Sequence, residues 1–194
     1  MDLTPFILKG MSWINYLDLI RDLLSTGKTT GPNQNEDLLH YTNLNLHRME
    51  RIEKTIVIDP KLVDLIKNID EPQSWLVLTE AWCGDAAQNL PLFYKLSELN
   101  PLITLRFVLR DENLTLMDKF LTNGARAIPI VIAFQDNKTL WKWGPRPASL
   151  QQTVIAFKNQ PTFTHEELKT HLHTWYAKNK TLDQQAELLE ILSN

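Results

Sequence analysis

Between residues 55 and 158, short β-branched or apolar runs alternate with amphipathic stretches, and no other feature limits the fold so strongly. Thr55-Ile56-Val57-Ile58 reads as a strand, and Asp59-Pro60, an N-cap with proline at the first helical position, opens a helix to about Asn68. Trp75 to Thr79 is a continuous apolar run of the kind covered on both faces of a sheet, followed by a helical pattern from Asp85 to Leu96. Leu102 to Leu109 reads as a third strand and Asn113 to Leu121 as a third helix, closed by Asn123-Gly124. Ile130 to Phe134 and Thr139 to Trp143 flank the polar turn Gln135-Asp136-Asn137-Lys138 and suit an antiparallel hairpin, and a helix from Pro147 to Lys158 completes the set. The order β-α-β-α-β-α-β-β-α predicts an α/β fold, a mixed central sheet flanked by helices.

The flanking segments are helical in pattern. Residues 1–54 read as an N-terminal extension of two amphipathic helices, one carrying Ile14, Leu17, Ile20 and Leu24 and ending at Gly27, the other Leu38, Thr42, Met49 and Ile52. Residues 159–194 read as a C-terminal helical extension, with Thr164 and Glu167 as a capping box and a last amphipathic stretch from Leu182 to Leu192. The domain plan is therefore 1–54, 55–158 and 159–194.

Composition excludes several classes of function. With 43% apolar and 22% charged residues the chain can bury a core, and its net charge of −3 with interspersed signs argues against nucleic acid as a partner. No apolar run approaches the length of a membrane span, so no membrane partner is expected. Met1 to Gly10 does not read as a secretory signal, and a single cysteine permits no internal disulfide; together these suit a reducing, cytoplasmic setting.

That cysteine is the candidate site. Cys83 falls between a buried strand and a helix start, where free N–H groups and the helix dipole favour a thiolate, although Asp85 in the first turn raises the thiol pKa. Glu80 is the other nearby acid. Lesser signals resolve simply: Gly27-Lys28-Thr29 lacks the earlier glycine of a phosphate loop, and the spacings His40/His47 and His171/His173 suit no metal site. Trp141 and Trp143 share one strand face and read as core cover, with Arg146 beside them as a candidate groove residue. Arg110-Asp111-Glu112-Asn113 reads as a helix N-cap with solvated charges.

Glu80-Ala81-Trp82-Cys83-Gly84-Asp85-Ala86 resembles the thioredoxin active-site segment, and Ala127-Ile128-Pro129-Ile130 resembles the loop in which that superfamily carries a cis-proline. The likeness covers residues 55–158, and Trp82 to Gln88 is similar to a single-cysteine group with the motif W-C-G-D-A-A-Q. It implies a thioredoxin-like fold, Cys83 as the catalytic residue supported by Trp82, Asp85 and Glu80, and Ile128 with Pro129 as the edge that pairs with a bound peptide. It implies neither metal nor cofactor. Ala86 stands where thioredoxins have the resolving cysteine, and Val77 where many hold a buried aspartate.

Two functions are compatible with this pattern. In one, a monothiol oxidoreductase active in cell redox homeostasis forms mixed disulfides at Cys83 with a protein or a small thiol, and an external thiol resolves them. In the other, a redox-inactive thioredoxin-fold module binds peptide or protein.

Overall fold

The computed structural model describes residues 2–136 and 138–193. Its centre is a four-stranded mixed sheet of order β2-β1-β3-β4, made of β1 (Gln73–Thr79), β2 (Ile103–Leu109), β3 (Ile130–Gln135) and β4 (Lys138–Trp143). β1 pairs parallel to β2 and antiparallel to β3, so Val77 has Phe107 on one side and Val131 on the other. The β3–β4 hairpin carries an irregularity between Ala133 and Phe134. Asn137 of the expected turn lies outside the described residues, and Asp136 next to it has a left-handed φ of 46°.

Helices flank the sheet: α1 (Thr4–Lys9), α2 (Trp13–Ser25), α3 (Glu36–Thr55), α4 (Pro60–Lys67), α5 (Gly84–Ser97), α6 (Leu114–Met117), α7 (Ala148–Lys158), α8 (His165–Asn179) and α9 (Leu182–Ser193). Apolar side chains from α2, α3, α5 and α9 join those of the strands in one core cluster that runs from Leu3 to Leu188. The tryptophan pair behaves as core cover, with the ring of Phe93 5.3 Å from that of Trp143 and the ring of Trp75 5.1 Å from that of Trp141.

Three expectations are corrected. Thr55 to Ile58 is not a strand: α3 runs through Thr55, and the extended segment after it has no strand neighbour among the described residues. The carboxamide of Gln185 in α9 takes that neighbour's place, accepting from Asp59 N–H at 2.7 Å and donating to Val57 C=O at 3.0 Å. β-branching favours an extended backbone, but a ladder needs a partner strand. Asn113 to Leu121 shortens to the single turn of α6, whose N-cap residue is Asn113, although its side chain makes no capping bond and donates its amide to Leu109 C=O at 2.8 Å. The first apolar stripe is rotated: Trp13, Tyr16, Leu17 and Ile20 are buried, whereas Ile14 is 62% exposed.

The outer edge of β2 is met by the segment joining α1 to α2. Met11 and Phe107 exchange both backbone hydrogen bonds at 2.9 Å.

Candidate functional site

Where β1 ends, the chain turns through Glu80, Ala81 and Trp82 into α5, with Cys83 as its N-cap residue. The N-terminal extension holds this turn from both sides. Ala81 N–H donates to Thr30 Oγ1 at 2.9 Å, and Ala81 C=O accepts from Asn45 Nδ2 of α3 at 3.0 Å. Two backbone groups that a turn would leave unsatisfied thereby find partners within the protein, and the cysteine is positioned by residues far away in the chain.

Cys83 is only 8% exposed, and its thiol donates to the carbonyl of Ile128 at 3.3 Å. The Ile128–Pro129 peptide bond is cis, as is Gly144–Pro145. Gly144 brings the two loops together: its φ is +122°, and a Cβ there would lie 2.2 Å from Pro129 C=O. No other residue type fits that approach.

Burial pushes the Cys83 thiol up to about 12, and the Asp85 carboxylate adds to the rise. Against this act the Ala86 N–H, the Arg146 guanidinium and the Asp85 N–H. Desolvation of the thiolate is the largest of these effects and so sets the direction. At neutral pH the sulfur in this conformation is a protonated donor to Ile128.

Asp85 is engaged from two directions. Its Oδ2 binds Arg146 through Nε at 3.0 Å and through a second, shorter contact from Nη2, while Oδ1 accepts from the Tyr176 hydroxyl at 2.7 Å. Arg146 also reaches Gln151 Oε1 at 2.9 Å, and Tyr176 accepts from Asn89 Nδ2 at 3.0 Å. Burial and the neighbouring carboxylate hold the Tyr176 hydroxyl well above the ordinary phenol range. This network joins the loop after β4, α5 and α8 beside the first turn of the helix that Cys83 opens. It is a dense, largely desolvated arrangement of charge-assisted bonds, the kind that weakens sharply when one member is removed.

Glu80 points elsewhere. Fully buried, it accepts Asp111 N–H at Oε1 over 2.9 Å, and among the described residues its Oε2 has no hydrogen-bond partner. Burial raises its pKa. Trp82 is half-buried with the Arg110 guanidinium 4.9 Å above its ring, so Arg110 and Asp111, read from sequence as solvated cap charges, instead line the Glu80 side of the turn. Ile128 and Pro129 are both buried. Of the network, Asp85 was legible in the sequence and Arg146 only as a candidate groove residue; Tyr176 carried no local signal, because it meets Asp85 from a helix 91 residues away. Among the described residues no group of three or more His, Cys, Asp or Glu could hold a metal ion, and no helix is long and apolar enough to cross a membrane.

A family model described as thioredoxin matches residues 31–167, well over half of the sequence. The chain belongs to that thioredoxin family. Within this thioredoxin-family chain, the matched stretch includes α3 as well as the sheet, and so takes in Asn45 as well as Cys83. No curated protein matches. Among solved structures, a protein of unknown function from Pseudomonas aeruginosa, PA1234, is 17% identical with a TM-score of 0.59, the alignment covering 88% of this chain and 95% of that one. An HIV epitope scaffold is similar at 17% identity and a TM-score of 0.55, over 89% of this chain and 96% of the other. At that identity the likeness is one of fold.

Proposed function

We propose that this protein is a guarded monothiol of the thioredoxin fold: Cys83 exchanges with a disulfide of a protein or small-thiol partner in a reducing cytoplasm, and only after the cover over its sulfur opens. The observation that carries the reading is the composition of the site around Sγ. The groups that stabilise a thiolate, the Ala86 and Asp85 N–H groups and the Arg146 guanidinium, stand in place, while burial keeps the proton on. Exposure removes the largest opposing effect and leaves the stabilisers. The W-C-G-D-A-A-Q segment, Trp82 to Gln88, supports placing the chain with single-cysteine thioredoxin-like proteins.

The exchange balances without an external oxidant. The Cys83 proton passes to solvent, the thiolate attacks one sulfur of the partner disulfide, and a Cys83–partner disulfide forms as the partner's other sulfur leaves as thiolate. With Ala86 in the resolving position, a second thiolate from outside attacks the mixed disulfide, and Cys83 leaves and takes up a proton. In this reading Trp82 shields the sulfur, Asp85 and Arg146 set its charge environment, and Ile128 with Pro129 forms the edge for the partner's backbone.

The test is the rate of adduct formation with oxidised glutathione or an aromatic disulfide from pH 6 to 10, in the wild type and in Tyr176→Phe. The wild type reacts slowly, with no plateau below about pH 10; loosening the cover in Tyr176→Phe raises the rate at pH 8 by about tenfold or more. Both proteins staying inert while the unfolded chain reacts would overturn the monothiol reading. That outcome would favour a redox-inactive binding module, which the 8% exposure of Cys83 already supports. In that case Cys83→Ser would leave partner capture unchanged.

A further inference from the structure

α3, the extended segment 56–59, α8 and α9 line a cavity of about 1030 Å3, with Tyr176 and Gln88 among its walls. Its volume lies at the upper end of the range of small-molecule sites. The walls are apolar on the side of Ile52, Ile56, Ile58 and Leu189, and two strongly exposed apolar side chains, Val57 at 83% and Leu182 at 65%, stand at its margin. Exposed aliphatic groups of this size beside an apolar hollow mark a surface that something covers.

The charged part of the lining is mainly cationic. Arg48, Arg51 and Lys180 line the cavity, and its one acid, Asp59, is committed to capping α4 through Lys61 N–H at 2.8 Å. Arg48 is half-buried and makes no ion pair among the described residues; neither do Arg51 and Lys180. Its guanidinium donates to Asn45 Oδ1 at 3.1 Å and otherwise faces the ring nitrogens of His173 at 3.3 and 3.4 Å. Arg51 stands one helical turn on, so two like charges share a face of α3, an arrangement that is unfavourable until an anion sits between them. Burial and then the Arg48 charge lower the His173 pKa, so the imidazole resists becoming a further cation beside Arg48.

We propose that this cavity binds a single-chain anionic amphiphile, its acid head on Arg48 and Arg51 and its hydrocarbon tail along Ile52, Ile56, Ile58 and Leu189. Charge complementarity selects the occupant: cationic side chains without ion-pair partners among the described residues, beside aliphatic ones, in the lining of one cavity of a chain of net charge −3. The bidentate geometry of guanidinium suits carboxylate and phosphate alike, so the head is an oxyanion of either kind. Tyr176 lines this cavity as well as bonding Asp85, and Asn45 meets both Arg48 and Ala81, but the binding proposed here requires no exchange at Cys83.

Calorimetric titration of the full-length protein with decanoate, decyl phosphate, 1-decanol and decyltrimethylammonium, all below their micelle concentrations, tests the inference. The two acids are expected to bind with a Kd of about 10–100 μM, and the alcohol and the cation at least about tenfold more weakly. The tighter of the two acids identifies the natural head group as carboxylate or phosphate. Arg48→Gln is expected to weaken acid binding by about tenfold or more. Ala186→Trp, an exposed change in the lining, fills the chamber and abolishes binding while leaving the circular dichroism spectrum unchanged. Equal binding of acid and alcohol, wild-type affinity in both variants, or light scattering that shows a dimer covering Val57 and Leu182 would each overturn the proposal.

Discussion

At the scale of single residues, the site turns on how desolvation is divided among ionisable groups that lie close together in the sequence. Glu80 and Cys83 are both held towards their neutral forms by burial, while Asp85, two residues past the cysteine, is met by Arg146 and Tyr176. For Glu80 the folded state binds a proton more tightly than the unfolded chain. Its contribution to stability is therefore complete below its ordinary value of 4.5 and is lost as pH rises through the raised folded value. Thermal melting from pH 4 to 8 is expected to show this decline in the wild type and a flatter profile in Glu80→Gln, whose amide still accepts the Asp111 N–H. Gly144 gives a prediction of another kind. Its φ of +122° and the Pro129 carbonyl that a Cβ would strike leave no room for a methyl group, so Gly144→Ala is expected to destabilise the fold by at least about 2 kcal/mol in urea melts.

At the scale of elements, most of what the residues 55–158 pattern implied is present, and the misses have physical causes. The apolar runs at Trp75 and Ile130 became the central strands β1 and β3, almost wholly buried, and the run at Leu102 became the outer strand β2, whose burial alternates in its first half. Thr55 to Ile58 has the same local preference but lies against a helix, where a glutamine side chain supplies the backbone partners; nothing local distinguishes these outcomes. Gln185→Ala removes both bonds and is expected to cost about 1–3 kcal/mol, with faster amide exchange confined to the 56–59 segment. Cys83 was legible because a strand-to-helix junction is a local pattern. Its surroundings were not, since Tyr176 bonds Asp85 and Asn45 bonds Ala81 from helices outside the sheet.

At the scale of the whole molecule, the terminal helices are structural parts of the site. Leu188 of α9 is fully buried in the central cluster, and Tyr16 and Trp13 of α2 stack with Phe107 and Tyr94. Leu188→Ala is expected to cost about 2–5 kcal/mol and, if unfolding is two-state, to lower the midpoint seen by tryptophan fluorescence and by far-UV circular dichroism together. A C-terminal extension docked loosely on an independent sheet would instead give two separate transitions. The cysteine is then protected by the cooperativity of the fold as well as by its immediate neighbours.

The Met11–Phe107 bridge bears on how the chain behaves in company. β2 is an outer strand of the sheet, and a free edge of that kind is a template on which another polypeptide can add a strand. By spending its own backbone on both hydrogen bonds of Phe107, the segment at Met11 closes that template at its middle. Proteolytic trimming ahead of Trp13 would reopen it and turn a self-contained protein into one prone to edge-to-edge association.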